Sequence, residues 1–179
     1  MHDSARVLAD CRQELARLPD VLGSLVAGLD GAGWRTRPAA KEWAPVEIVC
    51  HLRDEESEDF GARVRVIIEG GKEFAPIDPE RWAVERRYLD ADAPAAVDAF
   101  LRCRAASLAW LGGLTADRLE AAIEHPRAGR LSGLDLMAAW VTHDRLHLAQ
   151  MAATLARNWA TRWAPLRADY AGPLPYAGA

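Results

Sequence analysis

Cysteine is scarce in this sequence: Cys11, Cys50 and Cys103 are the only three in 179 residues, and no CxxC pair occurs. An odd, scattered set embedded in helix-like sequence argues against a thiolate zinc site or a thioredoxin-like motif. It fits small buried hydrophobes in a reducing compartment. Cys50 stands next to His51, but neighbours on a helix diverge by about 100°, so its reading is packing rather than chemistry. Long apolar runs are missing as well, and nothing approaches the roughly 18–20 uncharged residues that span a bilayer. The first segment, MHDSARVLADCRQELARL, carries a charge every few residues and cannot serve as the apolar core of a signal peptide. Positive charge is not in excess either. A net charge of −4 and a pI near 5.7 argue against a nucleic-acid or anionic-membrane surface. Internal repeats, low-complexity stretches and convincing strand alternation are absent. These absences predict a cytoplasmic protein with no nucleic-acid or membrane partner.

What is present reads as helix. Half of the residues are hydrophobic and 27% are charged, ordinary values for one globular domain with a real core. In the first segment, Val7, Leu8, Cys11, Leu15, Leu18, Leu22, Leu25 and Leu29 recur at spacings of three and four, which predicts a helix over Ser4 to Leu29. Pro19 should kink or divide it, and Asp30-Gly31-Ala32-Gly33 should end it. A second helix is expected from Pro45 to about Glu69, closed by Gly70-Gly71. Its cap is weak because Ala44 has no side-chain acceptor, although Glu47 favours the positive end of the helix dipole. A proline-rich linker over 72–80 leads to a possible short helix from Glu80 to Leu89. A third long helix is expected from Pro94 to Leu111, before Gly112-Gly113. A fourth should start at Ser132, whose pairing with Asp135 is a capping-box variant, and run to about Asn158. Four amphipathic helices with a long crossover between the second and third predict an all-α four-helix bundle over 1–160, followed by a loosely docked tail over 161–179. Exposed apolar helix faces leave room for a homodimer.

Two histidines carry the first chemical signal. His143 and His147 are four residues apart, hence about 40° apart around a helix axis and roughly 6 Å along it, so both imidazoles reach one point. Leu136, Met137, Trp140, Met151 and Leu155 share their face, which turns the pair toward the core, where unpartnered imidazoles are costly. On the second helix, Ile48, Val49, Leu52, Phe60 and Ile67 mark the buried face. His51 flanks it, and Glu55, Glu56, Asp59 and Arg63 fall on or beside it. Carboxylates on an apolar face require a partner or a cavity. Either the helix tilts to bring them to solvent, or a polar pocket between the second and fourth helices holds His51 as a third ligand. Imidazoles suit zinc, nickel, iron or copper; hard magnesium or calcium wants oxygen.

The segments Trp43-Ala-Pro45-Val-Glu-Ile48-Val-Cys-His51-Leu-Arg-Asp54-Glu-Glu56 and His143-Asp144-Arg-Leu-His147-Leu-Ala-Gln150 make the chain resemble the DinB/YfiT-like superfamily of bacterial four-helix-bundle proteins. Members show a tryptophan, a small cap residue, a proline, a histidine six residues later, and a late HDxxHxxQ-like segment. The resemblance spans about residues 4–157, with Ala44 departing from the frequent serine at the cap. It implies a three-histidine metal site of His51, His143 and His147, holding a divalent transition metal such as zinc or nickel, or else iron or manganese. Asp144 and Glu56 match frequently acidic positions and either orient an imidazole through its other nitrogen or form surface ion pairs on their helix faces. Trp140, one turn before His143, is expected to wall the pocket. Of the remaining histidines, His2 is terminal and His125 precedes Pro126 in the loop before the fourth helix, where it caps a turn.

Three protein ligands leave positions open, as in catalytic rather than structural sites. The resemblance implies a metal-dependent transfer of a low-molecular-weight thiol (bacillithiol, mycothiol or glutathione) to an electrophilic small molecule. A metal-dependent hydrolase, with Glu56 or Asp59 as catalytic base, is the close alternative. A non-catalytic, stress-related metal- or ligand-binding module is the other.

Overall fold

The computed structural model describes residues 3–175, and His2 and the last four residues lie outside them. In chain order the elements are α1 (Ser4–Val26), α2 (Gly31–Arg35), α3 (Pro45–Glu58), α4 (Phe60–Ile68), α5 (Pro79–Glu85), a 3-10 turn (Tyr88–Asp90), α6 (Ala93–Gly112), α7 (Ala116–Leu119), β1 (Ala122–His125), β2 (Gly129–Ser132), α8 (Gly133–Arg162) and a second 3-10 turn (Asp169–Ala171). The bundle consists of α1, the α3–α4 pair, α6 and α8. Within it α3 packs chiefly on α6 and α1 on α8, while α3 and α4 both reach α8. The crossover between the second and third long helices carries α5. No helix among the described residues is long and apolar enough to cross a membrane.

Three local expectations are revised. The second long helix is broken at Asp59 (φ −115°, ψ −95°) into α3 and α4. Gly61 follows the break, and a Cβ there would meet the Trp140 ring at 3.3 Å and the Glu56 carbonyl at 3.2 Å, so its absence lets α4 press onto Trp140. The stretch before α8 is a β-hairpin rather than a plain loop, with Ala122 opposite Ser132 and His125 opposite Gly129, which takes a positive φ of 68° at the turn. Strands of four residues are too short for their alternation to stand out in the sequence. His125 does cap the turn, its Nδ1 accepting from the Arg127 and Ala128 backbone N–H groups. Helix α8 opens as expected: Ser132 Oγ accepts from Asp135 N–H, and an Asp135 carboxylate oxygen accepts from Ser132 N–H at 2.8 Å. At α3, Glu47 does the work Ala44 cannot, reaching back to the Ala44 N–H at 2.9 Å.

The third revision concerns Pro19, which neither divides α1 nor ends it. A proline at this position has no N–H to offer the carbonyl four residues earlier, that of Leu15. The guanidinium of Arg104, on α6, donates to that carbonyl at 2.8 Å instead. Arg104 is 1% exposed, and its two terminal nitrogens also donate to Asp144 on α8 and Glu56 on α3 at 2.8–3.1 Å. This polar layer divides the interior into two apolar clusters. Leu18, Leu22, Leu52, Phe100 and Met151 lie on one side, and Leu8, Leu15, Val64, Leu111, Met137 and Trp140 on the other.

Replacing Arg104 with methionine strands two buried carboxylates without a cation. The substitution should lower the unfolding free energy by about 3–5 kcal/mol, the usual cost of removing one partner from a buried ion pair. Urea denaturation of Arg104→Met measures this, and a loss under about 1 kcal/mol would contradict the central role of the layer.

Candidate metal centre

His51 projects from the middle of α3 and His143 and His147 from the middle of α8, and their Nε2 atoms form a triangle. The edges are 3.1 Å (His51–His143), 2.9 Å (His51–His147) and 3.0 Å (His143–His147). A neutral imidazole nitrogen either donates or accepts. Three nitrogens in a closed ring cannot alternate those roles, so at least one edge is left without a hydrogen bond. The Gln150 Oε1 accepts from His147 Nδ1–H at 2.7 Å, which turns the His147 Nε2 lone pair into the triangle. A shared cation satisfies all three lone pairs at once. With metal–nitrogen bonds of about 2.0–2.1 Å, two ligands on one ion sit roughly 2.9 Å apart at a right angle and 3.4 Å apart at the tetrahedral angle. The observed edges fall at the lower end of that range, and the donor set fits a divalent transition metal.

The surroundings are aromatic and acidic. The Trp43 ring lies 4.8 Å from that of His51 and runs within 12° of parallel to His147 at 6.4 Å. Phe60 covers His143 at 4.9 Å from the other side. His51 is buried, whereas the His143 side chain keeps 20% of its surface, so solvent reaches the centre past His143. Behind Trp43 a cleft of about 610 Å³ carries Arg37, Lys41 and Arg87 together with Glu42, Glu47, Glu80 and Asp90, so it has no excess of positive charge.

Glu55, on the turn of α3 after His51, is the carboxylate nearest the triangle. Its Oε1 is 3.8 Å from His51 Nδ1 and its Oε2 is 3.9 Å from His143 Nε2. The acids singled out from the sequence are engaged elsewhere. Glu56 and Asp144 bind Arg104, and Glu56 Oε2 also accepts from the Trp140 indole N–H at 3.2 Å, so neither holds an imidazole as the resemblance implied. Asp59 pairs with Arg63. Neither Glu56 nor Asp59 is the acid beside the histidines; that place belongs to Glu55. Trp140, expected to wall the pocket, is a core residue stacked on Phe60, and Trp43 takes the walling position. The acids do not tilt out to solvent, since Glu55, Glu56 and Asp59 are all buried. Arg104 went unnoticed in the sequence, though it occupies an apolar-stripe position between Phe100 and Leu111.

Burial is the main reason the imidazoles stay neutral. His51 and His143 are each lowered to about 3, helped by the neighbouring rings and, at His143, by Arg104; His147 is lowered despite its bond to Gln150. Burial and the adjoining Asp59 raise Glu55 to about 8, and burial raises Asp144 to about 6 against the pull of Arg104. Folded histidine values below the unfolded value of about 6.5 mean that protons favour the unfolded chain. Their contribution to stability is full above that pH and is lost as the pH falls. The raised carboxylates act in the opposite sense, and below pH of about 6.5 three histidines outweigh two acids. In chelator, the urea midpoint should therefore fall as the pH is lowered from about 6.5 to 5, and less steeply in His147→Ala. A midpoint rising over that interval would exclude the buried neutral triad.

Comparison with known proteins bears on this geometry. Comparison with the curated proteins finds no significant match. Among solved structures, YfiT from Bacillus subtilis, described as "a probable metal-dependent hydrolase with an unusual four-helix bundle topology", superposes with a TM-score of 0.74. That likeness covers 87% of this chain and 88% of YfiT at 18% identity, and it establishes the shared bundle fold. The model of the DinB superfamily matches residues 14–151, a span that includes all three histidines. The chain belongs to the DinB superfamily.

Proposed function

We propose that this chain is a divalent-metal-dependent enzyme of small-molecule chemistry, and that its reaction is hydrolysis. One observation carries the reading: three imidazole Nε2 atoms lie 2.9–3.1 Å from one another around one point, and one of them, on His143, belongs to a side chain that keeps 20% of its surface. Three protein ligands with free positions are the arrangement of catalytic metal sites, whereas structural sites are closed. A bound divalent ion supplies Lewis acidity, which makes water or a thiol a better nucleophile at neutral pH. His51, His143 and His147 would hold it, and Gln150 fixes the tautomer of His147. Glu55 Oε2, 3.9 Å from His143 Nε2, is placed to take the proton that attacking water gives up, since a cation beside it would favour the carboxylate over the protonated form that burial imposes without one. Trp43 and Phe60 flank the approach and offer the substrate apolar walls. The description of YfiT as a probable metal-dependent hydrolase points the same way. Zinc or nickel suits the three-imidazole set best, with iron or manganese as further occupants.

Transfer of a low-molecular-weight thiol is the second reading, since the same three-imidazole centre would activate a thiol as it would water. The chain's own thiols are poor nucleophiles: burial raises all three, Cys50 to about 11. The thiol would therefore be a cosubstrate rather than a side chain of this protein.

Untagged protein purified without a nickel column should carry close to one equivalent of a divalent transition metal, and His143→Ala should carry almost none while keeping its helical circular dichroism. Against a panel of activated esters and lactones, His143→Ala should lose about 100-fold or more in turnover. Turnover only when glutathione, mycothiol or bacillithiol accompanies an electrophilic acceptor would select the second reading. Full activity in His143→Ala would refute both.

A further inference from the structure

Two buried atoms beside the metal centre lack hydrogen-bond partners, and they face each other. His51 Nδ1 and Glu55 Oε1 are both shielded from solvent and unpaired, 3.8 Å apart, with the Asp59 side chain also within hydrogen-bonding reach of the Glu55 carboxyl. They belong to residues one turn apart on α3, a spacing that puts both side chains on the same face. The other ring nitrogen of His51 is a vertex of the Nε2 triangle. When that nitrogen offers its lone pair, the ring proton must sit on Nδ1, and a buried N–H needs an acceptor. His147 already has one, its Nδ1 held by Gln150 at 2.7 Å. For His51, Glu55 Oε1 is about 1 Å beyond normal hydrogen-bond length. Glu55 is 3% exposed, so water does not compete for either atom.

We propose that Glu55 is the positioning residue of His51: its Oε1 accepts the Nδ1–H when the centre is loaded, closing the gap and aiming Nε2 at the metal. The inference rests on reading the triangle as a metal centre. It assigns to Glu55 the orienting role that Glu56 and Asp144 cannot fill while they bind Arg104. Two of the three ligands would then be braced from behind, one by an amide oxygen and one by a carboxyl oxygen.

The test compares wild type, Glu55→Met, Glu55→Gln and His51→Ala by zinc affinity in chelator competition. Nitrogen-edited NMR of the zinc-loaded protein and the visible spectrum of the cobalt form supply two readouts independent of turnover. Methionine fills the same space without an acceptor, and replacing a buried acid with an apolar side chain is compatible with folding. Glu55→Met should weaken zinc binding about 10–100-fold and lose the slowly exchanging His51 Nδ1–H signal, whereas Glu55→Gln, which keeps an acceptor oxygen, should stay within about threefold of wild type and retain that signal. Wild-type affinity in Glu55→Met would overturn the proposal. So would Glu55→Gln binding as weakly as Glu55→Met, since the charge and not the acceptor would then matter. A changed cobalt band in Glu55→Gln would make Glu55 a ligand instead. Failure of the underlying reading looks different: His51→Ala would then bind zinc as well as wild type.

Discussion

The guanidinium of Arg104 sits where the four long helices meet, and each of the other three gives it an acceptor: a backbone carbonyl of α1, a carboxylate of α3 and a carboxylate of α8. Buried ion pairs of this kind add little net stability over apolar packing, because desolvating the charges offsets most of their attraction. Their effect here is on register. A slide or rotation of α8 would separate Asp144 from Arg104, and Asp144 is the residue after His143. A similar shift of α3 would separate Glu56, which follows Glu55 and lies five residues after His51. The same contacts that join the helices therefore bring three imidazole nitrogens from two of them within about 3 Å of one another.

Three consecutive acids on α3 show how one helix serves three neighbours. Successive side chains are turned by about 100°, so Asp54, Glu55 and Glu56 point in different directions. Asp54 accepts from the Tyr88 hydroxyl at 2.6 Å and from Arg86 at 2.7 Å, which fastens the crossover to α3. Burial alone would raise its carboxyl, but the bonds from Arg53, Tyr88 and Arg86 outweigh that and hold it low. Glu55 faces the histidines, and Glu56 faces Arg104. A run that reads in the sequence as a block of negative charge is thus three separate connections, each set by its angle on the helix.

Much of this was legible beforehand, for reasons that differ by residue. His143 and His147 were readable because their spacing is a property of one helix, and helical periodicity is local. The Ser132–Asp135 cap was readable for the same reason. His51 needed the second motif, since nothing local to α3 says what lies 92 residues away. The roles of Glu56 and Asp144 were misread because periodicity shows that an acid faces inward and not which partner meets it. That partner, Arg104, sits on a third helix whose apolar stripe it interrupts only once. Glu55 and Asp59 stood on the same inward face, and only tertiary geometry separates the one beside the imidazoles from the one beside Arg63. The break at Asp59 has no proline to announce it. Beside it, a Cβ on Gly61 would meet the Trp140 ring, a contact between two helices that no local pattern shows.

Pro19 and Arg104 constrain each other across 85 positions of sequence. The proline leaves a carbonyl open, and the arginine closes it. With any other residue at position 19, the backbone would compete for the Leu15 carbonyl and one donor of Arg104 would lose its acceptor. With any other residue at position 104, the proline would leave a buried carbonyl bare. The effect of a substitution at either site therefore depends on the other, so the pair changes readily only together. Sites joined in this way are energetically coupled although no local pattern links them, and in this chain the pair adjoins the residues of the metal centre.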